Sequence, residues 1–494
     1  MGLAKRSVTA VAWNIPANLL TLPILLVRGI LLSRWLPVPS FGIYAYASSI
    51  VGLSALLADF GIGSALLHRA PETEDEQEAA AVHFTLKLLL GGVWLALLVA
   101  GTLIFAEGEL RLALLVLGGI TALGNLTGTP NMLLVRRVVH RRLALLHFFE
   151  GLLTTVVALV LAYRGVELWA LLAVDLTAVL TRLAFYYGWR PVWRPRLRWS
   201  PGVARYMLSF GSRSMLANVL VGAIDRADNL WVGSYLGDAA LGIYSRAFTF
   251  AAYPRRLLAA SVDAVAGGTF AELKGQRRAL SRAFVGSNAL LIRTGFLIGG
   301  LLNLVAPELI LLLLTEKWLP MVTPFRLMLV FALIDPIRNA TANLFVAVGE
   351  PQRVVWTRAV QLAVLVGGLF LFGSLWQING AALAIDVMLL VGTALFLWQA
   401  RLFVDFSFWR LFGPPALGVV VGLLLAWGGA ALVGAGPVWL AALVKVAAYT
   451  AGYGLVLLLL ERETLLAAAA RVLIALFGVE RLPAGLARWS GRKM

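Results

Sequence analysis

Six arginines lie within stretches of this sequence that are otherwise apolar. A charged side chain at the centre of a bilayer costs at least about 2.5 to 3.5 kcal/mol, so such residues face partners or a water-filled cavity. Guanidinium is too costly to serve as packing, and its planar fork binds phosphate oxygens through paired hydrogen bonds. The pattern predicts a wet, positively charged cavity that is lined by Arg28, Arg213, Arg226, Arg246, Arg255 and Arg293.

Hydrogen-bonding side chains share helix faces with several of these arginines. At about 100° per residue, Asn14, Asn18 and Arg28 fall on one face of the first apolar stretch. Asn218 and Asp225 share a face of the seventh stretch in the same way. Because Asn side chains also join packed helices through hydrogen bonds, a cavity lining and a packing role both remain open at the Asn positions.

Tyrosines extend the polar pattern to two further stretches. Tyr44, Ser48, Gly52 and Asp59 share one face of the second apolar stretch, and Tyr244 lies in the eighth. Hydroxyl and amide groups are the partners that sugars bind, so Tyr44 and Tyr244 join the asparagines as predicted substrate-binding residues.

Part of the sequence recurs 200 residues later without a gap. Ala17-Asn18-Leu19-Leu20 corresponds to Ala217-Asn218-Val219-Leu220, and Phe41-Gly42-Ile43-Tyr44 corresponds to Leu241-Gly242-Ile243-Tyr244. An internal repeat of this kind is typical of membrane transporters, in which the substrate site lies between the repeats.

Composition places the chain in a membrane. Of its 494 residues, 60% are hydrophobic and only 14% are charged, whereas soluble domains carry about 25% charged residues. The formal charge of +17 would suggest nucleic acid in a soluble protein, but the basic residues lie mainly at the ends of apolar stretches, so no nucleic-acid partner is expected. With no Cys and four scattered His, we expect no metal site and no cofactor.

The apolar runs predict an all-α integral membrane protein with about 14 transmembrane helices. We expect two pseudo-symmetric six-helix lobes in 1–200 and 201–402, two extra C-terminal helices in 403–460, and an amphipathic cytoplasmic tail in 461–494. The segment 307–318 is too short to cross and should cap the ninth helix. The predicted helices span 13–34, 41–66, 81–106, 110–135, 143–163, 165–189, 205–233, 239–268, 281–303, 320–347, 352–373, 378–400, 411–433 and 437–460.

The distribution of basic residues predicts the orientation. With the N-terminus inside, the cytoplasmic segments hold most of the loop Lys and Arg, and the outer loops keep only Arg34, Arg111, Arg164 and Lys317. The acidic loop Glu72–Glu78 is an exception, but acids weigh little in this rule. We therefore expect a multi-pass protein of the cell inner (cytoplasmic) membrane with both termini in the cytoplasm.

Three stretches resemble a known family. The segment that ends at Arg69 and reads LSRWLPVPSFGIYAYASSIVGLSALLADFGIGSALLHR resembles the opening of the polysaccharide-transport and O-antigen flippase (Wzx-like) branch of the multidrug/oligosaccharidyl-lipid/polysaccharide (MOP) exporter superfamily. Asp225-Arg226 through WVGSYLGDAALGIYSRAF is similar to its second signature. Glu316-Lys317-Trp318, with Asp335 to Pro351, is similar to the third.

The resemblance implies a function in lipopolysaccharide or other polysaccharide biosynthesis. It implies a flippase, not an enzyme, that moves a polyprenyl-diphosphate-linked oligosaccharide from the cytoplasmic to the outer leaflet by alternating access. Partners would then be the lipid-linked glycan, membrane lipids, and glycan polymerases or glycosyltransferases. On this basis Arg28, Arg213, Arg226 and Arg246 are expected to hold the diphosphate.

Energy coupling stays open at the sequence level. No phosphate-binding Gly loop of the nucleotide-hydrolysing kind occurs, so ATP is not expected to drive transport directly. Moving two negative charges outward releases on the order of 4.6 kcal/mol per 100 mV of membrane potential. Asp59 and Asp225 are the candidates for coupling to protons or sodium.

Three alternative functions are consistent with parts of the sequence. A lipid II flippase or a small-molecule (multidrug) antiporter of the same superfamily would share the two-lobed architecture, although the multidrug exporters usually stop at twelve helices. A membrane glycosyltransferase or glycan ligase would need a large outer loop or surface carboxylates, and the outer loops here are short. The flippase is therefore favoured.

Overall fold

The computed structural model describes residues 21–68, 76–137, 140–433 and 437–477, and in parts of these ranges, such as 255–268 and 463–477, the backbone alone. These ranges fold into helices and short connections, without a strand. The helices in the first 200 residues are α1 (residues 21–35), α2 (Val38–Asp59), α3 (Ile62–His68), α4 (Glu76–Phe105), α5 (Gly108–Arg136), α6 (His140–Tyr163) and α7 (Glu167–Leu183), which a π-helical turn extends over Ala184–Gly188.

The remaining helices follow the predicted order, except that the predicted helix 205–233 is divided between α8 and α9. The short α11 and a 3-10 turn at Glu316–Met321 occupy the segment that was expected to cap the ninth helix. The helices are α8 (Pro201–Ile224), α9 (Ala227–Glu272), α10 (Arg277–Leu304), α11 (Ala306–Leu313), α12 (Val322–Val348), α13 (Pro351–Gly368), α14 (Ser374–Ala400), α15 (Phe408–Val433) and α16 (Val438–Phe477).

Several predicted helices are interrupted. The second ends at Asp59 and restarts as α3, because Phe60 and Gly61 have positive φ values of 48° and 66°. A methyl group on Gly61 would lie 2.4 Å from the carbonyl oxygen of Gly211 on α8. The turn therefore falls where two backbones meet, and a residue without a side chain is required there.

The number of membrane spans can be compared with the prediction. Within the described part of the chain, 11 segments are long and apolar enough to cross a membrane. One of them, Pro351–Ala400, contains two predicted helices and turns at Gln377, whose φ is 53°. The helix α9 is not among the 11, and α1 starts among residues that are not described. The chain is a multi-pass helical membrane protein, and the number 14 stays a prediction.

By its internal contacts the chain divides into two compact units. The first contains the described residues up to Ala247 together with Arg358–Met388, and the second contains Phe248–Thr357 and the described residues from Leu389 onward. This division differs from the lobes 1–200 and 201–402, which stay a prediction. In the first unit a core forms around Ile43, Leu114 and Leu172.

In the second unit, Phe284, Phe345 and Phe396 form the centre of another core. Away from these cores many large apolar side chains are exposed, including Leu97, Ile104 and Leu459. Exposed apolar surface of this extent is expected where lipid replaces water as the solvent.

Candidate functional site

A polar network around Tyr44 occupies the first unit. The Tyr44 hydroxyl on α2 donates a hydrogen bond of 2.8 Å to Asp175 on α7. On α1, Arg28 donates to the Thr154 hydroxyl of α6 at 2.9 Å. Arg28 is also close enough to Asp175 for their charges to interact. We call Tyr44, Asp175 and the charged groups next to them the first tyrosine site.

A second ion pair completes the first tyrosine site. Arg182 on α7 donates through Nε to Glu150 of α6 at 3.1 Å, and its Nη2 reaches the other carboxylate oxygen. The charge of Arg182 also acts on Asp175. Two guanidinium groups therefore balance two carboxylates, so the charges in this site compensate one another.

The first tyrosine site borders a cavity of about 340 Å³. Its polar lining comes from Tyr44, Ser48, Thr121, Asp175 and Arg182, and apolar side chains of α2, α5 and α7 complete the wall. Of the four residues that were predicted to share a face of α2, Tyr44, Ser48 and Gly52 line this cavity and Asp59 does not. Hydroxyl, carboxylate and guanidinium groups on one wall are able to hydrogen bond a polar ligand.

Two further arginines approach the same face of α2. The guanidinium group of Arg226 packs on Gly52, where a methyl group would lie 2.6 Å from its Nε atom. Arg226 is half-buried, and its Nη1 is 3.4 Å from the carbonyl oxygen of Gly222. In the described part of the chain no carboxylate lies at ion-pair distance from Arg226, so its charge is available to an anion.

Arg246 lies near the other end of this face. Its guanidinium carbon is 4.4 Å from the centre of the Phe41 ring, a cation–π contact. The charges of Arg28 and Arg246 both act on the Tyr44 hydroxyl. Three of the six predicted arginines thus converge on one face of α2.

The start of α2 crosses α9 at two glycines related by the 200-residue register. A methyl group on Gly42 would lie 1.8 Å from the carbonyl oxygen of Asp238, and one on Gly242 would lie 2.2 Å from the carbonyl oxygen of Val38. Residues 38 and 238 correspond in the same register, so the contact is reciprocal. We call this contact the glycine crossing.

The tyrosine that corresponds to Tyr44 has a different environment. Tyr244 is fully buried, and its hydroxyl donates to Asp228 at 2.9 Å. The carboxylate of Asp386 on α14 is close enough for its charge to act on Tyr244. We call Asp228, Tyr244 and Asp386 the second tyrosine site.

The two predicted ion-coupling residues lie in different surroundings. Asp59 forms an ion pair with Lys87 of α4, so its charge is already compensated. Asp225 is exposed at the end of α8. The coupling role of both residues stays a prediction that no observation tests.

Arg213 and Asn218 lie on α8 with exposed side chains. Arg213 lines a separate recess of about 420 Å³ together with Arg205, Tyr206 and Ser209. The structure therefore does not bring Arg213 into the first tyrosine site.

Arg293 belongs to the second unit and is engaged there. Its Nε donates to Glu461 at 2.6 Å, and both side chains are almost fully buried. The hydroxyl of Tyr453 donates to the Arg293 carbonyl oxygen at 2.7 Å. A second, partly buried pair, Lys445 with Glu308, joins α16 to α11. Because Arg293 is ion-paired with Glu461, it is not part of the proposed substrate site.

Three predicted site residues cannot be placed. Asn14 and Asn18 lie outside the described residues, and the side chain of Arg255 is outside them as well. Conversely, reasoning from sequence did not select Glu150, Asp175 or Arg182. Their charges within apolar stretches were a signal, but helical phase does not show which helices become neighbours.

Comparison with known proteins identifies relatives of this chain. Residues 31–323 match the family described as Polysaccharide biosynthesis protein. The succinoglycan biosynthesis transport protein ExoT of Rhizobium meliloti (strain 1021) is 27% identical over 293 residues, 57% of this chain and 57% of that protein. The teichuronic acid biosynthesis protein TuaB of Bacillus subtilis (strain 168) is 22% identical over 388 residues, 75% and 78% of the two chains.

Solved structures show the fold. The lipid II flippase MurJ, in an inward closed conformation, superposes with a TM-score of 0.71 at 11% identity, covering 93% of this chain and 100% of that one. An inward-facing multidrug resistance MATE family transporter of the MOP superfamily gives 0.63 at 16% identity, covering 80% and 98%. At these identities the likeness concerns the fold alone. Since the family match spans more than half of the sequence, the chain belongs to the polysaccharide biosynthesis protein family and has the fold of MOP-superfamily transporters.

Proposed function

We propose that this protein is a flippase that moves a polyprenyl-diphosphate-linked oligosaccharide from the cytoplasmic to the outer leaflet by alternating access. The observation that carries the proposal is the convergence of Arg28, Arg226 and Arg246 on the cavity face of α2. The half-buried charge of Arg226 has no carboxylate partner among the described residues, and an anionic ligand would supply one.

The chemistry of the cargo matches the side chains. A diphosphate carries about two negative charges, and guanidinium groups bind its oxygens with charge-assisted hydrogen bonds worth about 1.5 to 3 kcal/mol each. Hydroxyls of Tyr44, Ser48 and Thr121 line the neighbouring cavity and offer hydrogen bonds to sugar. The polyprenyl tail remains in lipid, where its apolar surface costs nothing to expose.

Direction and location follow from the same charges. With the positive-inside orientation, the protein lies in the inner membrane with both termini in the cytoplasm. Outward movement of two negative charges then gains on the order of 4.6 kcal/mol per 100 mV. Glycosyltransferases on the cytoplasmic side and a glycan polymerase on the outer side are the expected partners.

Binding of the diphosphate tests the proposal directly. Purified protein in nanodiscs is titrated with a polyprenyl diphosphate, and the complex is measured by native mass spectrometry. A polyprenyl monophosphate and a neutral polyprenol serve as comparison ligands. Arg226→Ala, Arg28→Ala and Arg246→Ala should each weaken diphosphate binding about tenfold or more, because each removes a charge-assisted contact worth over 1.4 kcal/mol.

A matched control is Arg194→Ala, since Arg194 is exposed in the linker between α7 and α8. It should bind like the wild type. If all three cavity variants also bind the diphosphate at wild-type strength, the assignment of the cavity is wrong.

Deletion of the gene identifies the cargo. The proposal expects a lipid-linked oligosaccharide to accumulate on the cytoplasmic leaflet, and complementation with Arg226→Ala should not clear it. Accumulation of lipid II would instead indicate a cell-wall flippase. A deletion strain with normal lipid-linked glycans but increased drug sensitivity would indicate a multidrug exporter.

A further inference from the structure

The connection between α7 and α8 is dense in basic and aromatic side chains. Residues 189–200 follow the π-helical turn of α7 and end where α8 begins, and none of the twelve lies in a helix. Four of them are arginines, three are tryptophans and none is acidic. We call residues 189–200 the basic linker. The proposed transport site uses none of these residues.

Two contacts attach the basic linker to α4. Trp193 is buried, and the centre of its ring is 5.4 Å from that of Phe84. Farther along, the backbone N–H of Arg198 donates a hydrogen bond of 3.1 Å to the Thr85 hydroxyl. Phe84 and Thr85 are neighbours on α4, so the middle and the end of the linker lie against the same part of one helix.

Arg142 of α6 attaches the beginning of the basic linker. Its Nη2 donates to the carbonyl oxygens of Trp189 and Arg190 at 2.7 and 3.0 Å. The guanidinium carbon also lies 5.3 Å from the centre of the Trp189 ring, a cation–π contact. With the contacts to α4, this fixes the path of the linker over the surface of the first unit.

Large apolar side chains are nevertheless exposed on the basic linker. Leu197 is 73% exposed and Trp199 is 55% exposed. Residues 194–200 contain no helix, turn or bend, and in an extended stretch successive side chains point to opposite sides. The stretch alternates Arg194, Arg196 and Arg198 with Pro195, Leu197 and Trp199. It therefore has a basic side and an apolar side.

The charges on the basic side are largely uncompensated. Arg194 and Arg196 are exposed, and in the described part of the chain no carboxylate lies at ion-pair distance from either. The Nε atom of Arg198 is 3.9 Å from Glu78, a long contact between two solvent-accessible side chains. Arg205, roughly 6 Å along α8 from its first residue, is also exposed, lines the recess at the start of that helix, and has no carboxylate at ion-pair distance among the described residues.

The position of the basic linker selects its partner. The helix before it and the helix after it are both long and apolar enough to cross a membrane, so the linker lies at a membrane surface. The predicted orientation makes this the cytoplasmic surface, where the leaflet carries anionic lipids. Tryptophan rings favour the level of the head groups, and guanidinium groups bind phosphate oxygens in pairs.

We propose that the basic linker, together with Arg205, binds anionic phospholipids of the leaflet that it faces. Leu197 and Trp199 enter the boundary between head groups and acyl chains, and Arg194 and Arg196 pair with the lipid phosphates. None of the residues that are proposed to hold the cargo takes part. The segment between the repeats is then a lipid-binding element in addition to a connection.

Spin labels test the position of the linker at the membrane. Because the chain has no Cys, Leu197→Cys and Arg196→Cys each give one labelled position. Collision with oxygen, which concentrates in lipid, and with a water-soluble nickel complex is measured by electron paramagnetic resonance in vesicles of phosphatidylglycerol and phosphatidylcholine. The label at position 197 should meet oxygen and be shielded from nickel, as at Leu97→Cys, an exposed apolar position of α4.

The label at position 196 should be more accessible to nickel than the label at position 197, because the two lie on opposite sides of the linker. Equal and high nickel accessibility at both positions would overturn the proposal. The basic linker would then be open to water and available to an acidic protein partner instead.

Lipid titration tests the preference for anionic head groups. The protein in detergent is titrated with phosphatidylglycerol or phosphatidylcholine, and bound lipid is measured by native mass spectrometry. The wild type should bind phosphatidylglycerol more tightly. Arg196→Ala should weaken this binding about fivefold, the effect of one basic residue at an anionic membrane surface. Arg196→Lys should retain most of it, because the charge stays.

The matched control is Arg164→Ala, since Arg164 is exposed in the loop between α6 and α7. It should bind phosphatidylglycerol like the wild type. Equal binding of the two lipids by the wild type, or no loss in the double variant Arg194→Ala with Arg196→Ala, would overturn the lipid site. Neither measurement uses the lipid-linked glycan, so failure of the proposed flippase function would leave both results unchanged.

Discussion

Tyr44 and Tyr244 occupy the same place in the 200-residue register, and each donates its hydroxyl to an aspartate. Their surroundings differ in charge. At Tyr44 the carboxylates have guanidinium neighbours, whereas in the described part of the chain no Lys, Arg or His nitrogen lies at ion-pair distance from Asp228, the acid that Tyr244 binds. Both repeats therefore contain a hydrogen bond from a tyrosine to a carboxylate. They differ in the cations that compensate the negative charge of that carboxylate.

The register explains part of this difference. Position 28 of the first repeat holds Arg28, and the corresponding position of the second holds Asp228. A cation near the first tyrosine is thus replaced by an anion near the second.

Removing one partner of a compensated pair should have the largest effect on stability. Arg293→Met leaves Glu461 buried without its cation, and breaking a buried pair in this way costs about 3 to 5 kcal/mol. We expect a corresponding decrease in the free energy of unfolding, measured by denaturant titration in detergent. The double variant Arg293→Met with Glu461→Leu should recover most of the loss, and equal stability of the single and double variants would contradict this view.

Asp175, which binds Tyr44, and Asp386, a buried acid whose Oδ1 has no hydrogen-bond partner among the described residues, should respond oppositely to neutralisation. Asp175→Asn removes a charged acceptor and leaves Arg28 and Arg182 with one carboxylate fewer, so we expect a loss of about 1.5 to 3 kcal/mol. Asp386→Asn removes an uncompensated buried acid and should leave the stability at alkaline pH unchanged or higher. Thermal unfolding of both variants from acid to alkaline pH measures the difference. Equal destabilisation by both substitutions at alkaline pH would abolish the distinction between the sites.

The glycine crossing gives a third comparison between the repeats. Gly42→Ala and Gly242→Ala each place a methyl group against a carbonyl oxygen of the other segment, and overpacking of this kind costs about 1 to 3 kcal/mol. Both variants should lose stability in thermal unfolding. Gly119→Ala is the control, because a methyl group there meets no atom within 4 Å. It should be neutral or slightly stabilising.

Hydropathy predicted the helices whose ends do not depend on a close contact with another helix. The helix α5 spans Gly108–Arg136 against a predicted 110–135. It was not enough at Gly61, where the turn depends on the backbone of Gly211, a residue 150 positions later. Such a contact is a property of the packed helices and leaves no periodic signal in the sequence.

The same limit applies to the site. Spacing correctly placed Tyr44, Ser48 and Gly52 on one face, because that depends only on helix geometry. It did not identify Asp175 as the partner of Tyr44, since neighbouring helices are set by tertiary packing. The cost of a buried charge predicts that each arginine either forms an ion pair or lines a cavity. The sequence does not decide between these two, and the fold shows that Arg293 is ion-paired whereas Arg226 is not.

The smallest expected effect concerns a compensated pair outside the membrane. Asp405, in the loop between α14 and α15, accepts hydrogen bonds from Arg277, and these lower the pKa of Asp405 below its usual value. An acid with a lowered pKa in the folded state stabilises the fold above its unfolded pKa, and this contribution is lost as the pH falls through the folded pKa.

Because both side chains are exposed to solvent, Arg277→Ala should lower the melting temperature only slightly at neutral pH, and not at all once Asp405 is protonated at acidic pH. Melting temperatures of Arg277→Ala and the wild type, compared across this pH range at low and high salt, measure the effect. If the difference in melting temperature between the two proteins grew toward acidic pH, Arg277 would act through its hydrogen bonds to the carbonyl oxygens of Arg401 and Leu402. It would then not act through the charge of Asp405. The compensated pairs buried in the membrane have no such solvent screening, which is why their loss is expected to cost so much more than the loss of this one.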